Sequence, residues 1–168
     1  MRRIFIRPIV FLALCAASVL AQAQNWPTKP IHFVVPFGPG STDILARMLA
    51  PKASAALGQP IVVENRPGAT GNVGSLQVAK SPADGYTMLF GAAAAQAVNP
   101  ALYSNLGYDP MKDLAPVILV ASIPNVVIVN PKLAIKSIAE LIAAAKAKPN
   151  ALNYSSNGSG SSQHMAAA

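Results

Sequence analysis

Three short apolar runs, the first two each followed by turn residues and then by a helical segment, leave few folds open to this chain. Ile31-His32-Phe33-Val34-Val35, Ile61-Val62-Val63 and Thr87-Met88-Leu89-Phe90 have the length and apolar character of buried strands. After the first comes Pro36-Phe37-Gly38-Pro39-Gly40, then the N-cap types Ser41, Thr42 and Asp43. Leu45, Met48, Leu49, Ala53, Ala56 and Leu57 then recur at helical spacing. Pro51 is expected to kink or restart this helix, and Gly58 to end it. After the second run, a turn-rich loop over 65–72 leads to a helix over 73–80, and Ala83-Asp84-Gly85 signals a turn. The small-residue segment 91–98 follows the third. Such alternation predicts an α/β fold: a mainly parallel sheet covered by helices.

Beyond an irregular stretch at 99–113, the apolar runs 117–121 and 126–129 read as strands passing from a first unit into a second. Ser137 and Glu140 form a capping box for a helix through Lys148. Leu152-Asn153-Tyr154 reads as a further strand, 155–162 as a glycine–serine loop, and 163–168 as the first turns of a helix. One helix and two short strands are too little to bury a core. The second unit therefore reads as the start of a longer polypeptide.

The first residues have the form of a secretory leader. Arg2, Arg3 and Arg7 precede a run of twelve apolar or small residues at 9–20, and Ala21-Gln22-Ala23 offers a cleavage site. A membrane-spanning helix needs about 20 apolar residues, so the run reads as a signal peptide over 1–23, cut after Ala23, in a periplasmic protein. The single cysteine, Cys15, would leave with it, since Leu14 is too large for a lipoprotein site. The remaining 145 of 168 residues would then hold neither a disulfide nor a thiolate metal site. Loss of the three arginines lowers the basic count from 13 to 10 against 6 acids, and the net charge from +7 to +4. The remaining cations are scattered, with no basic stripe interleaved with aromatics, which argues against nucleic acid as a partner.

Two places share one design of strand, glycine loop and helix start: 36–43 and 155–164. A helix N-terminus presents free N–H groups and partial positive charge, glycines let the backbone approach a ligand, and serines add donors. Two such ends across a cleft would hold a small organic acid. Ordinary βα turns use the same residues, and the pattern alone leaves both readings open. Gly38-x-Gly40 followed by Glu64 resembles a dinucleotide fingerprint, but Asp43 stands at the third glycine position and would repel a pyrophosphate. No nucleophile-elbow motif and no Ser-x-x-Lys occurs. His32 falls within a strand. His164 follows the second loop in helix register, where a packing role and a ligand role are equally open. Two isolated histidines make no metal site, and nothing implies a cofactor.

Several segments together resemble one family, the substrate-binding receptors of tripartite tricarboxylate transporters, or Bug proteins. They are Trp26-Pro27-x-Lys29-Pro30-Ile31, Val34-Val35-Pro36-Phe37, Asp43-Ile44-x-Ala46-Arg47 and the long block Gly58-Gln59-Pro60-Ile61-Val62-Val63-Glu64-Asn65-Arg66-Pro67-Gly68-Ala69. Val78-Ala79-Lys80, Asp84-Gly85-Tyr86-Thr87, Asn99-Pro100-x-Leu102-Tyr103, Tyr108-Asp109-Pro110-x-Lys112-Asp113 and Ser156-x-Gly158-x-Gly160-Ser161-x-x-His164 continue it. The resemblance implies a two-lobed periplasmic-binding-protein fold (type II-like) closing on its ligand. A nearly complete first lobe would occupy 24–121 and the truncated start of a second 122–168. It also implies a receptor, not an enzyme, that delivers a small carboxylate to membrane permease subunits. Carried onto this chain, the ligand positions are Phe37, Gly40, Ser41, Thr42 and Asp43, then Gly91, Ala92 and Ala93, then Ser156, Gly158, Ser159, Gly160, Ser161 and His164. Asp43 is expected to cap its helix or take up a ligand water or ammonium group. Family members usually carry one more residue between Pro39 and Ser41. A ligand-sensing ectodomain and a secreted α/β hydrolase are the rival readings.

Overall fold

A computed structural model describes residues 25–167; the leader read over 1–23 lies outside them. Three parallel strands, β1 (Ile31–Val35), β2 (Ile61–Asn65) and β3 (Thr87–Leu89), form a sheet in the order β2-β1-β3. Ile31 pairs with Ile61 and Val35 with Asn65, while His32 pairs with Thr87 and Val34 with Leu89. As the central strand β1 is covered on both faces, which is why it reads as a continuous apolar run. Ile31, Val34 and Val35 are almost wholly buried, and burying each side chain stabilises the fold by about 1.5–3 kcal/mol. The exception is His32, half-exposed, whose Nδ1 lies 2.6 Å from Glu64 Oε1 on the neighbouring strand.

Helix α1 (Ser41–Leu57) packs on β1 and β2. Its buried positions include Ala46 and Ala50, one turn apart and small enough for close approach to the sheet. The helix runs through Pro51 without a break, against the expected restart. Pro51 is exposed; it withholds one backbone donor and crowds the carbonyl of Arg47, a local cost that does not end the helix. Gly58 ends α1 in the left-handed conformation, its N–H donating to Ser54 O at 2.9 Å. Ser54 Oγ accepts from Ile61 N–H, tying the end of α1 to β2.

After β2 the chain makes a 3₁₀ turn, Ala69–Gly71, and enters α2 (Asn72–Ala79), which packs on β1 and β3. Gly74 of α2 touches Pro36 and Arg66 O so closely that no side chain fits there. The segment before β1 is clasped to the turn that leads into β3. Trp26 Nε1–H donates to Asp84 O, Thr28 N–H to Tyr86 Oη, and Lys29 Nζ lies 3.2 Å from Asp84 Oδ2 and 4.2 Å from the Tyr86 ring centre. Helix α3 (Ala93–Leu102) is longer than the expected small-residue segment and continues through Asn99 and Pro100.

The parallel α/β sheet expected from the alternation is therefore present. The strands expected at 117–121, 126–129 and 152–154 are not formed. A strand exists only while its backbone is hydrogen-bonded to a neighbour, and among the described residues the only strand pairings are those of β1 with β2 and β3. Val117, Ile118, Leu119 and Ile128 are more than three-quarters exposed. Helix α4 (Ile138–Ala147) buries none of its residues. Of the expected capping box the Ser137 half forms, while the Glu140 carboxylate reaches one residue beyond the cap, to Lys136. Glu140 N–H donates to Ser137 Oγ at 3.2 Å, and Glu140 Oε2 accepts from Lys136 N–H at 2.7 Å. A last short helix, α5, spans Ser162–Ala167.

Candidate functional site

Parallel strands leave all their C-terminal ends on one edge, and open α/β sheets bind ligands in the crevice outside that edge. A cleft of about 780 Å³ lies there. The β1–α1 loop and the first turns of α1 form one wall with Pro36, Phe37, Gly38, Pro39, Gly40, Ser41, Thr42 and Leu45. The loop after β2 contributes Pro67, Gly68, Thr70 and Gly71, and the β3–α3 junction contributes Leu89 to Ala93 together with Ala95. The far side consists of Ile118 to Ile123, Asn125, Asn157 and Ser161 to Gln163. No lining residue carries a charge. An anion in the cleft would meet only N–H and hydroxyl dipoles, and an apolar ligand body would meet Phe37, Leu45, Leu89, Phe90 and Ile118.

Helix α1 starts from Gly40 with no side chain capping it. Asp43, in its first turn, does not serve as the cap. It is buried and faces Arg47, whose Nε lies 3.0 and 3.1 Å from its two carboxylate oxygens. The Arg47 hydrogen bond holds the Asp43 carboxyl below the usual carboxylate range. The same guanidinium donates to Asn65 Oδ1, and Asn65 Nδ2 donates to Phe37 O at 3.0 Å. Asp43 thus braces the glycine loop from behind through Arg47 and Asn65, and is not among the residues lining the cleft.

The structure brings together Phe37, Gly40, Ser41, Thr42, Gly91, Ala92, Ala93 and Ser161 from the residues expected at the site. The others do not line the cleft. Ser156 Oγ accepts from Gly158 N–H, and Ser159 offers its carbonyl to Thr70. Gly160 is buried against Val98, Asn99 and Leu102. His164 receives a cap at its N–H from Ser161 Oγ, and its ring sits 6.3 Å from that of Tyr154.

The loop after β2 escaped the sequence reading as a wall of the site. Its signal was available: it leaves the same edge of the sheet as the other two loops and carries Gly68 and Gly71. A largely buried relay fixes its bend. Tyr108 Oη donates to Gln96 Oε1, Gln96 Nε2 to Ser75 Oγ, and Ser75 Oγ to Gly71 O at 2.8 Å. Gly71 has φ of 89°, and a Cβ there would stand 3.0 Å from the Phe37 ring. The glycine therefore lets the second loop press on the first. Among the described residues no cluster of metal-ligating side chains occurs, and no helix is long and apolar enough to cross a membrane.

Comparison with known proteins agrees with this architecture. The family described as "Tripartite tricarboxylate transporter family receptor" matches residues 45–168. Protein BugT of Bordetella pertussis is 42% identical over 158 residues, covering 93% of this chain and 48% of BugT. An R. palustris protein solved with adipate superposes with a TM-score of 0.70 at 44% identity, over 76% of this chain and 43% of that one. A structure described as a periplasmic transporter matches with a TM-score of 0.50 at 47% identity, over 52% of this chain and 30% of that one. The chain spans about half the length of the curated relatives it matches.

Proposed function

We propose that this chain, which belongs to the tripartite tricarboxylate transporter receptor family, forms one side of a periplasmic receptor that captures a small organic carboxylate. The receptor hands its ligand to the permease subunits of such a transporter. The observation that carries the reading is the cleft at the C-terminal edge of the sheet, lined by glycine- and serine-bearing loops with no ionised side chain. A carboxylate there is held by neutral donors, the amides and hydroxyls around Gly40, Ser41, Thr42 and Ser161. Binding of this kind captures without reacting, because no lining side chain is a histidine or carboxylate base that could activate a serine. The adipate bound to the R. palustris relative is an acid of this class.

On this reading residues 24–121 belong to a first lobe and 122–168 to a second, with Ile118 to Ile123 at the mouth between them. Residues 1–23 direct export and are removed after Ala23. Calorimetric titration against a panel of mono-, di- and tricarboxylates tests the proposal. Saturable heat with one acid, abolished by Thr42→Ala together with Ser161→Ala, is the expected result. Heat with none of the acids would count against a receptor.

A further inference from the structure

We propose that Thr70 is a latch that fixes the second glycine–serine loop against the cleft, acting through its hydroxyl rather than its bulk. Four consecutive residues, Gly68, Ala69, Thr70 and Gly71, have positive φ, and two of them are not glycine. A β-branched residue in this region is a conformational outlier, and outliers persist where the surroundings over-determine them. Thr70 (φ 53°, ψ 41°) is held from both ends. Its carbonyl accepts from Nδ2 of the fully buried Asn99 at 3.2 Å. Its Oγ1 donates to Ser159 O at 2.8 Å and lies 3.5 Å from Tyr103 Oη.

That hydroxyl reaches across 89 positions of sequence. The loop it grips has no room to shift toward α3. A Cβ on Gly160 would stand 2.7 Å from Leu102 Cδ1 and 3.3 Å from Asn99 Oδ1. One on Gly158 would stand 3.7 Å from Thr70 Oγ1. Gly158 and Gly160 therefore serve the seating of this loop: both have positive φ, and a side chain at Gly160 would have to displace Leu102. Ser161, whose N–H donates to Gly158 O, is delivered to the cleft by the same turn. Thr70 is thus a positioning residue for Ser161, and its link to ligand capture rests on the carboxylate reading above.

The test compares Thr70→Val, which keeps the β-branch and removes the donor, with Thr70→Ser, which keeps the donor. Hydrogen–deuterium exchange of the 156–161 amides reads the seating directly and needs no ligand. In Thr70→Val exchange there rises roughly fivefold, the factor of one net hydrogen bond, while β1 amides stay unchanged. Thr70→Ser restores it, and carboxylate affinity follows the same order. Unchanged exchange in Thr70→Val overturns the latch, as does Thr70→Ser behaving like Thr70→Val. If the unsubstituted chain binds no carboxylate, the receptor reading fails and the exchange comparison still decides the latch.

Discussion

Replacing Gly74 by alanine sets two local forces against each other. Alanine is preferred to glycine inside a helix by about 1 kcal/mol, so on propensity alone the change stabilises α2. The packing opposes it. A Cβ at Gly74 would stand 2.8 Å from both Cα and Cβ of Pro36 and 2.9 Å from Arg66 O. Ordinary contact begins at 3.4 Å, so α2 or the chain at Pro36 must yield by about 0.6 Å. Two of those three atoms are backbone: one follows the central strand, the other the end of β2, where Arg66 N–H donates to Val35 O. Neither can swing aside as a side chain would. Overpacking a core costs about 1–3 kcal/mol, and the rigid neighbours place this case toward the upper end. Less the helix gain, the net loss is about 1–2 kcal/mol. For a chain of this size each kcal/mol moves Tm by about 2–4 °C, so Tm should fall by roughly 2–8 °C. Thermal unfolding followed by far-ultraviolet circular dichroism measures it. An unchanged or raised Tm would refute the reasoning, because α2 would then be free to move off Pro36 at no cost.

Acid should weaken the fold in a defined direction. The hydrogen bonds from His32 and then Arg66 hold Glu64 below its ordinary value of 4.5, and that from Arg47 holds Asp43 below 3.8. A lowered folded value means the unfolded chain takes up the proton first. The stability from both groups is therefore complete above these ordinary values and is lost as pH falls through the folded ones. Urea midpoints measured on a descending pH series should decline below about pH 4.5, less steeply in Glu64→Gln; identical slopes would contradict the assignment. Ser137→Ala removes the oxygen that caps α4 and should cost that helix about 1 kcal/mol. Since α4 buries nothing, the loss should appear as faster amide exchange within Ile138–Ala147 and not as a lower global Tm.

Much of the first unit was legible because its rules are local. The apolar run of β1 and the stop at Gly58 each depend on residues within a few positions of one another, and each formed as read; so, in the second unit, did the Ser137 cap of α4. Glycine loops at the strand ends were legible too, since a parallel sheet carries all its C-terminal ends to one edge. Local rules also misled. Residues 117–121 have the composition of a buried strand, but composition supplies no neighbour to bond with, and they stay unpaired and exposed. Asp43 is a residue type that caps helices, but α1 starts two residues before it, at Ser41, and inside the first turn its side chain pairs with Arg47 one turn later.

What the sequence determined by itself is the alternation of strand, turn and helix, because periodicity and turn chemistry act over three or four residues. Only the tertiary structure decided which loops share the cleft, that Asp43 braces one of them from behind, and that Thr70 holds Ser159. Those contacts join groups far apart along the chain or choose between competing partners nearby. A hydrogen bond of either kind depends on where the sheet has already carried both ends.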